Sequence, residues 1–235
     1  MQILLGTDPE VFIRDLSTGE YVSADGIIPG TKDKPYKVDR GAVQRDGVAA
    51  EFNIDPAKDE DEFNFNIERV LDQLSGMVKS ASENYELAFV PYAEFDADYF
   101  KGLQAHTKIL GCDPDYNIAG EVNPNPSDFI EDKPIRSAAG HIHIGFTHGA
   151  EANSPLHFAD CVAVSRFFHE KGVFAPTTEL EKKRLTLYGD NGSFRAKPYG
   201  VELRAPSNLW VACEETRREM YRKVMGTMKE LMGAQ

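Results

Sequence analysis

A chain of 235 residues is long enough to bury a full core, and we read it as a single domain over residues 1–235. Aspartate and glutamate outnumber lysine and arginine by 38 to 26, a formal net charge of −12, which argues against nonspecific binding to nucleic acid or to anionic membranes. Any bound phosphate must then be held locally, by a few placed arginines or by metal ions. The three cysteines, Cys112, Cys161 and Cys213, lie far apart without metal-ligand spacing, as expected of free thiols in a reducing compartment. The N-terminal stretch has no basic region, and no apolar run is long enough to span a bilayer, so the expectation is a cytoplasmic protein with no membrane partner.

In chain order, an apolar strand opens at Ile3 and continues past Gly6-Thr7-Asp8-Pro9-Glu10 into Val11-Phe12-Ile13. If the backbone stays extended, Asp8 and Glu10 share one face. Two ionised carboxylates that close repel each other, and a divalent cation is the usual way to keep both charged. Asp8-Pro9 equally suits an ordinary turn, because proline cannot donate to a sheet ladder. Residues 15–38 read as hairpin-rich surface, with turn signals at Ser17-Thr18-Gly19-Glu20 and Ala24-Asp25-Gly26. A turn at Asp46-Gly47 separates two strand-like segments. In the second, Glu51 follows the apolar Val48-Ala49-Ala50, and an unpaired buried carboxylate costs several kcal/mol, so a metal or a basic ligand is its expected partner.

Phe63, Ile67, Val70, Leu74, Val78 and Ala81 recur at helical spacing and predict an amphipathic helix over 61–81. A short strand follows at 86–91. Residues 95–130 form an irregular insertion rich in Asp, Asn and Pro, a candidate substrate lid. Then comes Gly140-His141-Ile142-His143-Ile144-Gly145, where strand alternation puts both imidazoles on one face and both isoleucines on the other. Such a pair suits a metal or a phosphate, or simply a hydrogen-bonded pair at the edge of the core. Ser154-Pro155 predicts a helix start, with Leu156, Ala159, Val162, Ala163 and Phe167 as its apolar stripe. Positive charge gathers between Arg184 and Arg204. There Glu202 and Arg204 face one way and Val201 and Leu203 the other, and Arg195 and Arg204 offer planar forks for phosphate or carboxylate oxygens. A local ion pair is the simpler reading of those charges. A last helix over 213–232 carries Met220, Val224, Met228 and Leu231.

Asp8 with Glu10, Glu51, His141 with His143, and Glu202 with Arg204 thus lie on the polar faces of four strand-like segments. Together they predict an α+β fold, a curved and mainly antiparallel sheet with helices on its convex face and a metal and phosphate site on its concave side.

The set Gly6-Thr7-Asp8-Pro9-Glu10, Ala50-Glu51-Phe52-Asn53, Gly140-His141-Ile142-His143-Ile144-Gly145 and Gly200-Val201-Glu202-Leu203-Arg204 resembles the carboxylate-amine ligases of the glutamine synthetase and glutamate-cysteine ligase superfamily. It looks most like the phage-encoded COOH-NH2 ligase (amidoligase) branch. The resemblance spans residues 6–210, with Asp8-Pro9-Glu10 standing where many members have Glu-x-Glu. It implies a glutamine synthetase catalytic-domain-like fold and, if the chain is phage-encoded, a place in the host cytoplasm. It implies metal ligands Asp8, Glu10, Glu51, His141 and Glu202, nucleotide contacts from His141, His143, Arg195 and Arg204, and catalytic roles for Glu51, Arg195 and Arg204. The implied activity is ATP-dependent formation of an amide or isopeptide bond, with magnesium or manganese, from a small-molecule or peptide carboxylate and an amine. The carboxylate would be activated as an acyl phosphate. A metal-dependent hydrolase and a non-catalytic nucleotide-binding protein are the alternatives.

Overall fold

The computed structural model describes residues 2–109, 115–123, 133–147, 151 and 154–233. In chain order the strands are β1 (Leu4–Thr7), β2 (Glu10–Asp15), β3 (Tyr21–Val22), β4 (Tyr36–Val38), β5 (Gly41–Asp46), β6 (Ala49–Ile54), β7 (Tyr85–Ala88), β8 (Tyr92–Glu94), β9 (Ile135–Ser137), β10 (Ile142–Gly145), β11 (Phe194–Lys197) and β12 (Gly200–Leu203). The helices are α1 (Glu60–Ala81), α2 (Ala97–Gly102), α3 (Ala105–Lys108), α4 (Pro155–Glu170), α5 (Glu179–Leu185) and α6 (Glu214–Gly233). Cys112 and residues 110–114 and 124–130 of the expected lid lie outside the described residues.

The fold is α+β, an antiparallel sheet curled into a half-barrel with helices packed on its apolar side. One sheet has the order β1-β10-β12-β11, a second β3-β2-β6-β5-β4 with β7 also paired to β2, and β8 and β9 form a third of two strands. The sequence suggests one strand from residue 3 to residue 13, but the chain turns a corner at Asp8-Pro9. Proline has no N–H to continue the ladder. The Pro9 carbonyl instead accepts from Phe52 N at 3.1 Å, and Glu10 N donates to Ala139 O at 2.9 Å. The corner carries the chain from the first sheet into the second, and Leu5 and Ala57 bridge the two by reciprocal backbone hydrogen bonds of 2.9 and 2.7 Å.

Strand alternation then sets the layers. Leu5, Ile142, Ile144, Val201, Leu203 and Phe194 of the first sheet and Val11, Val43, Ala50 and Phe52 of the second point into one core beneath α1, α4 and α6. Helix α1 starts where Asp59 accepts a 2.9 Å hydrogen bond from Glu62 N. It buries Phe63, Ile67, Val70, Leu74 and Val78 completely, each worth about 1.5–3 kcal/mol relative to exposure. Helix α4 corrects its sequence reading. The expected stripe is out of phase: Leu156 is 81% exposed and Ala159 and Ala163 are exposed, while His157, Cys161, Val164, Ser165 and Phe168 face the sheet. The cause is polar pairing, since His157 Nε2 meets Lys197 O at 2.8 Å and Cys161 Sγ donates to Gly200 O at 3.3 Å. These bonds let two polar residues outcompete a leucine for the buried side.

Candidate functional site

The register of the first sheet builds the polar face in rows. Gly6, His143, Glu202 and Arg195 are successive cross-strand partners. Two residues along, on the same face, stand Leu4, Gly145, Gly200 and Lys197, and in the other direction His141 and Arg204. Asp8 reaches this face from the corner after β1. In the second sheet Glu10 is opposite Glu51, and Glu51 is opposite Gln44. The side chains named from four separated segments thus share one concave side of the half-barrel.

At its centre Asp8, His143 and Glu202 each present one ligand atom, all within 4.8 Å of one another. Asp8 Oδ1 is 2.9 Å from His143 Nε2 and 3.0 Å from His141 Nδ1. His141 Nδ1 also lies 3.7 Å from Glu202, and its Nε2 lies 3.3 Å from the Tyr188 hydroxyl. His143 Nδ1 hydrogen-bonds the Tyr199 hydroxyl. On the far side Glu202, only 1% exposed, meets three cations: Lys197 Nζ at 2.7 Å, Arg195 Nη1 at 3.7 Å, and Arg204 in direct contact. Arg204 is itself buried. Its Nε donates to Asp115 Oδ2 at 3.1 Å, and its guanidinium lies 5.1 Å from the Tyr188 ring centre. Ser193 donates to the same Asp115 oxygen at 2.9 Å.

Burial and charge set the protonation states. Burial would raise Asp8, but the two imidazoles overrule it and hold its pKa well below the usual carboxylate value. Burial opposes a charged His143, yet Asp8 and Glu202 outweigh burial and raise its pKa. His141 shifts the other way, lowered by burial and then by Arg204. In the acidic arm, burial and the charge of Asp46 raise Glu10 to about 7. Glu51 is pushed well above its usual value by burial, then by Asp8, Asp46 and Glu10. Its Oε2 accepts from Gln44 Nε2 at 2.8 Å, and Glu10 Oε2 accepts from Ala139 N at 2.9 Å.

The donor set suits a divalent cation. Carboxylate oxygens with one imidazole match magnesium or manganese, and the imidazole tilts the choice to manganese. The cluster is held together by opposite charge, with His143 Nε2 2.9 Å from Asp8 Oδ1 and Glu202 Oε2 2.7 Å from Lys197 Nζ, and a metal ion among Asp8, His143 and Glu202 would take the place of the His143–Asp8 contact. Of the metal ligands expected from sequence, Asp8 and Glu202 stand in this cluster and His141 stands beside it. Glu10 and Glu51 form the adjoining acidic arm. Of the two imidazoles read as suiting a metal or a phosphate, His143 is the one that stands in the cluster, although the family pattern put His141 among the ligands and His143 at the nucleotide. The structure adds Asp115, Lys197, Tyr188 and Tyr199, which the sequence reading gave no role. Strand alternation alone put Lys197 on the Arg195 face, whereas Asp115 comes from an irregular segment that carries no periodic signal.

No protein-family model and no curated protein matches the chain. What the site does is therefore argued from its geometry. Among the described residues no helix is long and apolar enough to cross a membrane.

Proposed function

We propose that the chain is an ATP-dependent carbon–nitrogen ligase on a glutamine synthetase-like half-barrel, joining a carboxylate to an amine through an acyl phosphate. The supporting observation is the two-armed charge layout around Glu202. An acidic arm of Asp8, Glu10 and Glu51 and a basic arm of Arg195, Lys197 and Arg204 meet at Asp8, His143 and Glu202. A hydrolase needs the metal cluster but no basic arm, whereas a ligase must handle both metal and phosphate charge.

In this reading Asp8, His143 and Glu202 would hold magnesium or manganese, which would supply positive charge against the phosphates, and Glu10 and Glu51 would be available to a second ion. Lys197 and Arg195, less buried than Arg204, face the anionic oxygens of the nucleotide. Arg204, which the family pattern sets against the transferring phosphoryl group, is engaged by Glu202 and Asp115. We assign it the positioning of Glu202. His141 orients Asp8 through Nδ1. Tyr199 fixes His143, accepting from Nδ1–H when Nε2 binds metal.

The test is a thermal-shift panel followed by a coupled ADP assay. ATP with magnesium should stabilise the protein more than either alone, and pooled carboxylates and amines should elicit ADP release that Glu51→Gln abolishes with the fold intact. Stabilisation by metal with no response to ATP would replace the ligase with a hydrolase. Near-normal ADP release in Glu51→Gln would remove that residue from the metal site.

A further inference from the structure

A cavity of about 460 Å³ opens beside the Asp8–His143–Glu202 cluster, walled by β1 and β10 on one side and by β5 and β6 on the other. Its lining divides by chemistry. Leu4, Ile54 and Pro56 give it an apolar wall, while Asp8 and Glu51 give it two carboxylates. Among the described lining residues none is a lysine or an arginine, and the one basic group, His143, is already paired with Asp8 at 2.9 Å. The basic arm lies on the other side of Glu202. A carboxylate entering here would meet the carboxyl groups of Asp8 and Glu51 with no unshared cation among these lining residues, and an alkylammonium would find in Glu51 a charge partner and beside it an apolar wall.

The floor points to a ligand independently. Gly6 and Gly145 both line the cavity, on the face that carries His143. Nothing in the protein's own packing demands glycine at either place. A Cβ on Gly6 would meet only the His143 Cβ, at 3.5 Å, and one on Gly145 would come no nearer than 3.5 Å to the Leu4 carbonyl, both ordinary contacts. Neither residue has the positive φ that favours glycine. Glycine inside a strand costs about 0.5–1 kcal/mol relative to alanine, so two such residues side by side weaken β1 and β10 while leaving the cavity open.

We propose that this cavity binds the amine substrate, a primary alkylammonium with a slender apolar body. The nitrogen sits at Glu51, in the place otherwise open to a second ion and with Asp8 left to the first, and the body lies over Gly6 and Gly145 against Leu4, Ile54 and Pro56. Gln44 holds Glu51 only through Oε2, which leaves Oε1 to the ligand. The assignment of this ligand as a substrate rests on the ligase reading, but its binding does not.

The experiment titrates n-hexylamine, hexan-1-ol, hexanoate and adenosine into the full chain in magnesium-containing buffer, read by calorimetry and by thermal shift without turnover. The amine should bind saturably and at least tenfold more tightly than the alcohol or the acid. The Gly6→Ala/Gly145→Ala double variant should melt within a few degrees of the parent and lose at least tenfold in amine affinity. Hexanoate or adenosine binding as tightly as the amine, or no amine binding at all, overturns the proposal. So does undiminished amine affinity in the folded double variant. If that variant does not fold, the ranking of the four probes on the parent protein decides. Amine binding with no response to ATP would sink the ligase reading and spare this one, and the reverse result would do the opposite.

Discussion

Glu10 allows a sharp test of the acidic arm, because its carboxyl is opposed across the ladder by Glu51 and raised to about 7 by burial and by Asp46. A folded-state pKa above the unfolded value means that the native protein binds the extra proton. Stability from this group is fully present below about 4.5 and is lost as pH rises through about 7. A shift of roughly 2.5 units at 1.36 kcal/mol each corresponds to about 3 kcal/mol overall, of which about 2–3 kcal/mol falls between pH 5 and pH 8. Glu10→Gln removes the charge and keeps a carbonyl oxygen to accept from Ala139 N. In chelator, urea denaturation of parent and variant should give nearly equal stability at pH 5. At pH 8 the variant should be ahead by about 2–3 kcal/mol, roughly 5–10 °C in Tm for a chain of this size. Titrating groups that do not feel Glu10 cancel in the comparison, and the relief of Glu51 in the variant adds to the difference in the same direction. Adding magnesium or manganese should reverse the order at pH 8, since the ionised pair is then a ligand and its loss costs metal binding. A difference between the two proteins that does not change with pH would refute the reasoning.

Asp115→Asn, which takes from the buried Arg204 guanidinium one of its two charged partners and leaves Glu202 as the other, should cost about 2–3 kcal/mol by urea denaturation and weaken metal binding by displacing Glu202. Phe168→Ala should cost about 3–5 kcal/mol and Leu156→Ala less than about 0.5 kcal/mol, because the first is 1% and the second 81% exposed; equal effects would restore the phase expected from hydropathy. Cys161 is fully buried, with its thiol pushed up to about 12, and Cys213 is exposed, with its thiol lowered by the Thr216 hydroxyl. Brief alkylation of the native protein at pH 7.5, read by peptide mass, should therefore modify Cys213 and leave Cys161 unmodified until the chain is unfolded.

The parts of this fold that could be read from sequence are those with a periodic signal. Alternation placed His141 with His143 and Glu202 with Arg204 on the faces where they lie, and the 3.6-residue repeat marked α1 to within a residue of its start. Turn chemistry at Asp46-Gly47 marked the β5–β6 hairpin. Where a backbone or polar bond overrode the pattern, the reading failed. Pro9 broke an apparently continuous strand, leaving Asp8 at the corner after β1 and starting Glu10 in the second sheet. His157 and Cys161 took the buried side of α4 through bonds that hydropathy does not register. The Asp115–Arg204 pair joins residues 89 positions apart.

The two arms of the site differ in how far the protein neutralises them. In the basic arm every named charge has an opposite within reach, with Glu202 shared by Lys197, Arg195 and Arg204, and Arg204 held again by Asp115. In the acidic arm the balance falls short. Lys32 and Arg184 draw Glu10 downward, but burial and Asp46 outweigh them, and every neighbouring charge acting on Glu51 is another carboxylate. Placing Glu10 directly across from Glu51 destabilises the ladder, and the burial of Glu51 with the half-burial of Glu10 compounds the cost. Folding alone would favour an apolar or amide residue at either position. A local cost of this kind, at the edge of a cavity and beside the Asp8–His143–Glu202 cluster, is the expected signature of a surface shaped to receive positive charge. Metal at one end of that surface and an ammonium group at the other would supply it.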